Sequence, residues 1–133
     1  MKRIILIVLL FLSMSVDAAD YMGTMQLSNG YSMEKVRVTL DKQGNVTLYR
    51  VKFAQLMPVR VDVFIPQVTC RRDGSRTLLR GDSIVPKVAE KPYPRRLITD
   101  FQGQVQGGVL VFRCKMGGRE VYYRGRVETH NRQ

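Results

Sequence analysis

The chain has 133 residues, with 22 basic against 11 acidic side chains and a formal net charge of +11. That length fits one small domain, and such a surplus excludes an acidic or neutral surface. With one histidine and two cysteines in all, little is available for His-assisted nucleophilic or metal chemistry.

Lys2 and Arg3 precede an unbroken apolar run from Ile4 to Leu12, and the small residues Ala18 and Ala19 follow. The pattern predicts a secretory signal peptide over residues 1–19, with an apolar core well short of the roughly 20 residues that span a bilayer. The expectation is therefore an exported protein, soluble after cleavage and either periplasmic or extracellular. Its domain would cover 20–128, followed by a polar tail, 129–133, that contains His130. Loss of Lys2, Arg3 and Asp17 would leave a net charge of about +10. Such a chain attracts acidic polysaccharide or an anionic envelope surface. Export makes nucleic acid the poorest partner of this kind.

The remaining sequence is a succession of short Val-, Leu-, Tyr- and Thr-rich runs divided by turn residues, which predicts strands. Tyr21 to Leu27 is the first, with Asn29-Gly30 as its turn. Val36, Val38 and Leu40 then alternate with polar residues, and Gly44 suits the left-handed position of a hairpin loop. Val46 and Leu48 share one parity while Val51 and Phe53 take the other, so a bulge is expected at Tyr49 or Arg50. Val59, Val61, Val63 and Ile65 form the next inward set, and Pro66 marks an edge or bulge. Asp73-Gly74 is a turn, and the segment after it, to Val85, is a weaker strand. Pro86 to Arg96 is the one long irregular loop, and three further strands complete the meander. The fold class expected is all-β: a small closed up-and-down antiparallel barrel of about eight strands, enough to close around side chains or one small ligand.

The last hairpin is specific enough to give a register. A Gly117-Gly118 turn pairs Met116 with Arg119, Cys114 with Val121, Phe112 with Tyr123 and Val109 with Arg126. Cys114, Val121, Phe112, Tyr123 and Leu110 then share the inner face, and Arg113, Arg124 and Arg126 the outer. A one-residue slip would bury the arginines. Gly125 and Gly23 stand where large side chains are expected, which suggests close backbone approach and closure between first and last strands.

The segments Tyr21-Met22-Gly23, GNVTLYRVKF, VDVFIPQVT, DFQGQV and the closing VYYRG together resemble the calycin-like β-barrel domain of exported bacterial proteins. That domain is similar to lipocalins and fatty-acid-binding proteins in architecture, and the resemblance spans Tyr21 to Glu128. The chain has no tryptophan, so the Gly-x-Trp signature of true lipocalins is absent. The resemblance implies a ligand-holding barrel and transfers no catalytic residue.

The functional expectation is lipocalin-like capture, without catalysis, of a small amphipathic, hydrophobic or anionic ligand. Phe53, Phe112, Cys114 and Tyr123 would line the interior. Lys87, Lys91, Tyr93, Arg95 and Arg96, in the proline-stiffened loop, would form a rim for an anionic ligand. The alternative is a filled core, with the basic exterior binding an envelope surface or a protein. No catalytic constellation, metal site or cofactor is expected. Cys70 and Cys114 both point inward but on strands that are not neighbours. A disulfide needs Cα atoms within about 7 Å, so separate thiols are favoured over a bridge. Arg80-Gly81-Asp82-Ser83 matches an adhesion tetrapeptide, but beside a strand and not at a loop tip, where it reads as chance.

Overall fold

Alternating apolar and polar side chains turn most of the chain into antiparallel strand in the computed structural model, which describes residues 18–54 and 56–128. The expected leader through Asp17 and the tail with His130 lie outside the described residues. The strands are β1 (Ala19–Leu27), β2 (Ser32–Leu40), β3 (Val46–Val51), β4 (Val61–Ile65), β5 (Thr69–Asp73) and β6 (Arg76–Gly81). Two short strands follow, β7 (Lys87–Val88) and β8 (Lys91–Pro92), then a single 3-10 turn at Pro94–Arg96. β9 (Ile98–Gln106), β10 (Val109–Met116) and β11 (Arg119–Val127) end the sheet. Ala19, the last residue of the expected leader, pairs with Leu40 as the start of β1.

All strands belong to one sheet in the order β5-β6-β9-β10-β11-β1-β2-β3-β4-β7-β8. First and last long strands do pair, from Tyr21 with Val127 to Leu27 with Val121. The ladder nevertheless does not close. This corrects the expected eight-strand barrel to an eleven-stranded half-barrel whose ladder ends at β5 on one side and, beyond β4, at β8 on the other. The physical reason lies at 66–68. Pro66 has no N–H to give. Gln67 adopts a left-handed backbone, φ 56°, and donates its N–H to Asn45 Oδ1 at 2.8 Å. Val68 N–H goes to Gly44 O at 2.8 Å. The chain is thereby tied to the β2–β3 turn, and β5 leaves the β4 edge to pair with β6. β7 takes that edge instead, pairing Val88 with Val63 and Lys87 with Phe64. The loop expected to be irregular thus supplies a β-ribbon, because β4 would otherwise leave its N–H and C=O groups unpaired. Val59 is also corrected: it precedes β4 and is 59% exposed.

The last hairpin has the register expected for it at every pair from Val109–Arg126 to Met116–Arg119. Its inner face continues an aromatic ladder. Phe101 stacks on Phe112 at 4.9 Å between ring centroids, and Phe112 on Tyr123 at 5.3 Å. Room for these rings comes from interior glycines. A Cβ on Gly103 would strike Phe112, one on Gly125 the Tyr123 hydroxyl, and one on Gly23 the backbone of Arg124. Gly23 and Gly125 face each other across β1 and β11. The Tyr123 ring crosses them and donates its hydroxyl to Val36 O at 2.9 Å.

Three bulges bend the sheet. Register shifts oppose Glu34 and Lys35 to Thr24, Tyr49 and Arg50 to Asp62, and Asp100 and Phe101 to Cys114. The second is the bulge the parity change predicts. Each holds one non-glycine residue in the left-handed region: Lys35 at φ 59°, Arg50 at 56° and Asp100 at 53°. That conformation costs an L-residue roughly 1–2 kcal/mol. Side chains brace two of them, since Arg50 N–H donates to Asp62 Oδ1 at 2.9 Å and Asp100 N–H to Asp82 Oδ1 at 3.1 Å. Asp82 of the adhesion-like tetrapeptide therefore has a structural partner.

Candidate functional site

The interior residues expected to meet a ligand are brought together only in part. Phe112, Cys114 and Tyr123 are at most 3% exposed, and the two rings are in contact. Phe53, 6% exposed, lies under the guanidinium of Arg96, whose carbon is 4.4 Å from the ring centroid. Asn29 Nδ2 donates to Phe53 O at 3.2 Å, so Phe53 packs beneath the β1–β2 turn. One expected interior residue and one expected rim residue thus form a cation–aromatic pair.

The other rim residues follow the β7–β8 ribbon. Lys87 Nζ sits 5.9 Å from the centroid of Phe64, while Lys91, Tyr93 and Arg95 are exposed. Gly117 N–H donates to Leu97 O at 2.9 Å, which ties the hairpin turn to the end of the 3-10 turn, and a Cβ at Gly117 would strike the Arg95 carbonyl. An opening of about 230 Å³ enters the half-barrel elsewhere, between Tyr21, Leu40, Arg72, Thr77 and Val105.

The thiols are separated by the sheet order, since β6 and β9 stand between β5 and β10. Burial pushes the Cys114 thiol up to about 12. Burial, with a smaller contribution from the Asp41 carboxylate, also raises Cys70, which is half-buried. Both thiols are therefore protonated and weakly nucleophilic at neutral pH. Among the described residues, no three His, Cys, Asp or Glu side chains gather closely enough to hold a metal ion.

The outer face carries several grooves, among them two that each gather more than one cation. One, of about 440 Å³, lies over the closing hairpin and is lined by Gln26, Gln102, Arg113, Lys115, Glu120 and Tyr122, with Asp100 at its edge. Its charges offset one another, Arg113 and Lys115 against Glu120 and Asp100. Lys115 turns to Asp100, Nζ to Oδ2 3.7 Å, although its strand register sets it opposite Glu120.

The second groove, of about 610 Å³, crosses the outside of β1–β4. It gathers Lys35, Arg37, Arg50 and Arg60 around Tyr49, with Asp62 as the one carboxylate in the lining. Arg60 Nη1 donates to Arg50 O at 3.2 Å, and Arg37 Nε lies 3.7 Å from Glu128 Oε1. Sequence reading missed this groove. Its signal was present as two parity breaks, at Met33–Val36 and at Leu48–Val51, each with a cation between the inward residues.

No family model, curated protein or solved structure matches this chain. Function has to be argued from its own surface. Among the described residues no helix is long and apolar enough to cross a membrane.

Proposed function

We propose that this chain is a non-catalytic binding module, calycin-like in outline, whose basic exterior attaches it to an anionic envelope surface or polymer while its core stays filled. The observation that carries the reading is the division between faces. The inner aromatics of β9–β11 are packed on one another, whereas Arg71, Arg113, Arg124 and Arg126 stand exposed on the outside. Three ion pairs form among the described residues, and they engage Arg37, Arg76 and Lys115. Most of the basic surface is therefore balanced by solvent ions, which a polyanion displaces. The leader pattern adds that the protein would meet such a surface outside the cytoplasm.

The test is retention of the purified protein on an acidic polysaccharide or on phosphatidylglycerol vesicles across a salt series. Retention should fall steeply between low and physiological ionic strength, as screening shortens from about 30 Å to about 8 Å. Retention indifferent to salt would sink the proposal.

Ligand capture in the interior is a second reading, favoured by the opening beside Tyr21 and Thr77. It requires the Phe101–Phe112–Tyr123 stack to part. Native mass spectrometry of freshly purified protein tests it: a retained lipid-sized mass supports it, and a bare protein mass counts against it.

A further inference from the structure

We propose that the groove over β1–β4 is a binding site for phosphate groups, assembled by two β-bulges that bring Lys35, Arg37, Arg50 and Arg60 to one place. The inference rests on the polyanion reading and narrows it to one site and one chemistry.

A regular strand turns only alternate side chains outward. The β2 bulge breaks that rule by placing Glu34 and Lys35 both outside, between buried Met33 and Val36. The β3 bulge does the same with Tyr49 and Arg50, between buried Leu48 and Val51. Each insertion adds one outward side chain, and both additions face the same groove. Lys35 and Arg50 are the left-handed residues of these bulges, where glycine or asparagine is the low-cost choice. Bending the sheet accounts for the bulges but not for long cations at their strained positions. Anion binding accounts for both.

Arg50 is also held in place. Asp62 accepts its N–H, and the Arg60 guanidinium donates to its carbonyl. Asp62 thus spends one oxygen bracing the bulge. Arg60 is brought to the groove by the same contact that holds Arg50. Such positioning lowers the cost of ordering cations around a ligand.

Charge selects the ligand class. Four cations against Asp62 leave a surplus of three charges in the lining, with Glu128 beside Arg37 as a partial offset from outside it. One carboxylate would leave most of that surplus unmatched. A phosphate dianion, or two phosphates on neighbouring carbons, would match it, and guanidinium groups bind phosphate oxygens in pairs. The hairpin groove, with its charges offset, has no such preference. Beside the cations, Tyr49 and Met22 give an apolar flank for the carbon framework that carries the phosphate.

The test uses the isotope-labelled, purified protein with pyrophosphate as probe and acetate as control anion. Pyrophosphate should shift the amides of Lys35, Tyr49, Arg50 and Arg60 in a saturable way, and acetate should not. A Lys35→Asn/Arg50→Asn double variant keeps residues that tolerate the left-handed backbone while removing both charges. Its affinity should fall about tenfold or more. Arg60→Gln, outside both strands, should weaken binding in the same direction and covers the case of a destabilised double variant. Arg80→Gln/Arg119→Gln removes equal charge from exposed positions outside the groove and should leave affinity unchanged. Phosphatidylcholine vesicles doped with phosphatidic acid and, separately, glucose 1-phosphate distinguish a lipid headgroup from a soluble sugar phosphate. Binding in either arm supports the site and identifies the source. Shifts scattered over the arginines of β5, β10 and β11, or an equal loss in the Arg80/Arg119 variant, would overturn the site while leaving polyanion attachment standing. Wild-type protein that shows no salt-sensitive retention on any polyanion would overturn both.

Discussion

Tyr123 shows how much one side chain settles here. Its ring occupies the space that a side chain on Gly125 would fill, and its hydroxyl satisfies a carbonyl on β2, two strands away from its own. Tyr123→Phe keeps the ring and strands the Val36 carbonyl, so it should cost about 1–3 kcal/mol in a urea titration. Gly125→Ala should cost more, because its Cβ has nowhere to go until the ring moves. An alanine variant as stable as wild type would show that the ring does not need the gap. Asp41 acts at the opposite end of the polarity scale. Burial acts to raise its pKa, but bonds from the Asn45 N–H, the Asn45 side chain and the Gln43 N–H outweigh burial and hold the carboxyl below its ordinary 3.8. A depressed folded pKa means that the unfolded chain takes up the proton first on acidification. The stabilisation is therefore complete above the ordinary value and lost as pH falls through the lowered one. Asp41→Asn should flatten that acid limb, measured as thermal midpoints between about pH 6 and about pH 2. An unchanged slope would exclude Asp41 as its source.

At the scale of elements, the bulges carry a prediction of their own. Asp62→Ala removes the acceptor of the Arg50 N–H, so it should cost about 1 kcal/mol and loosen β3 against β4. Faster amide exchange confined to Arg50 and its neighbours would mark that loosening, and a uniform change along the sheet would argue against a local brace. Local pairing of this kind was largely legible in the sequence. The β10–β11 register followed from a two-glycine turn and from the exclusion of arginine from the core, both short-range constraints. The Arg50 bulge followed from one parity change. The Lys35 and Asp100 bulges left the same signal, in Met33 against Val36 and in Ile98 against Phe101. They are harder to read because a single apolar residue on the far side of each break, Met33 or Ile98, does not by itself establish a parity. β7 and β8 left none, since two-residue strands show no periodicity and exist only because β4 offers an edge.

Closure belongs to the whole molecule, and there the sequence was least informative. Pairing of β1 with β11 could be anticipated from glycines at both ends of the chain. Whether β4 meets β5 depends on where Gln67 and Val68 send their N–H groups, and both go to the β2–β3 turn, some 20 residues earlier. No local pattern announces that choice. The half-barrel therefore has two unlike regions. β10, β11, β1 and β2 are paired on both sides and surround the buried ladder of rings, whereas β5 and β8 are edges and β7 contributes two residues. Opening free energy scales with the contacts and ladder bonds a segment must surrender. Amide exchange should accordingly be slowest in β1, β10 and β11, close to the global unfolding limit, and fastest in β5 and the β7–β8 ribbon. Hydrogen–deuterium exchange with mass-spectrometric readout resolves these segments. Equal protection of β5 and β11 would mean that the seam is sealed in solution, by closure of the ladder or by a partner lying along it. Protection that appears on β5 only when a polyanion is added would identify the edge arginines Arg71 and Arg72 as part of the surface that holds the polymer, separate from the phosphate groove on β1–β4.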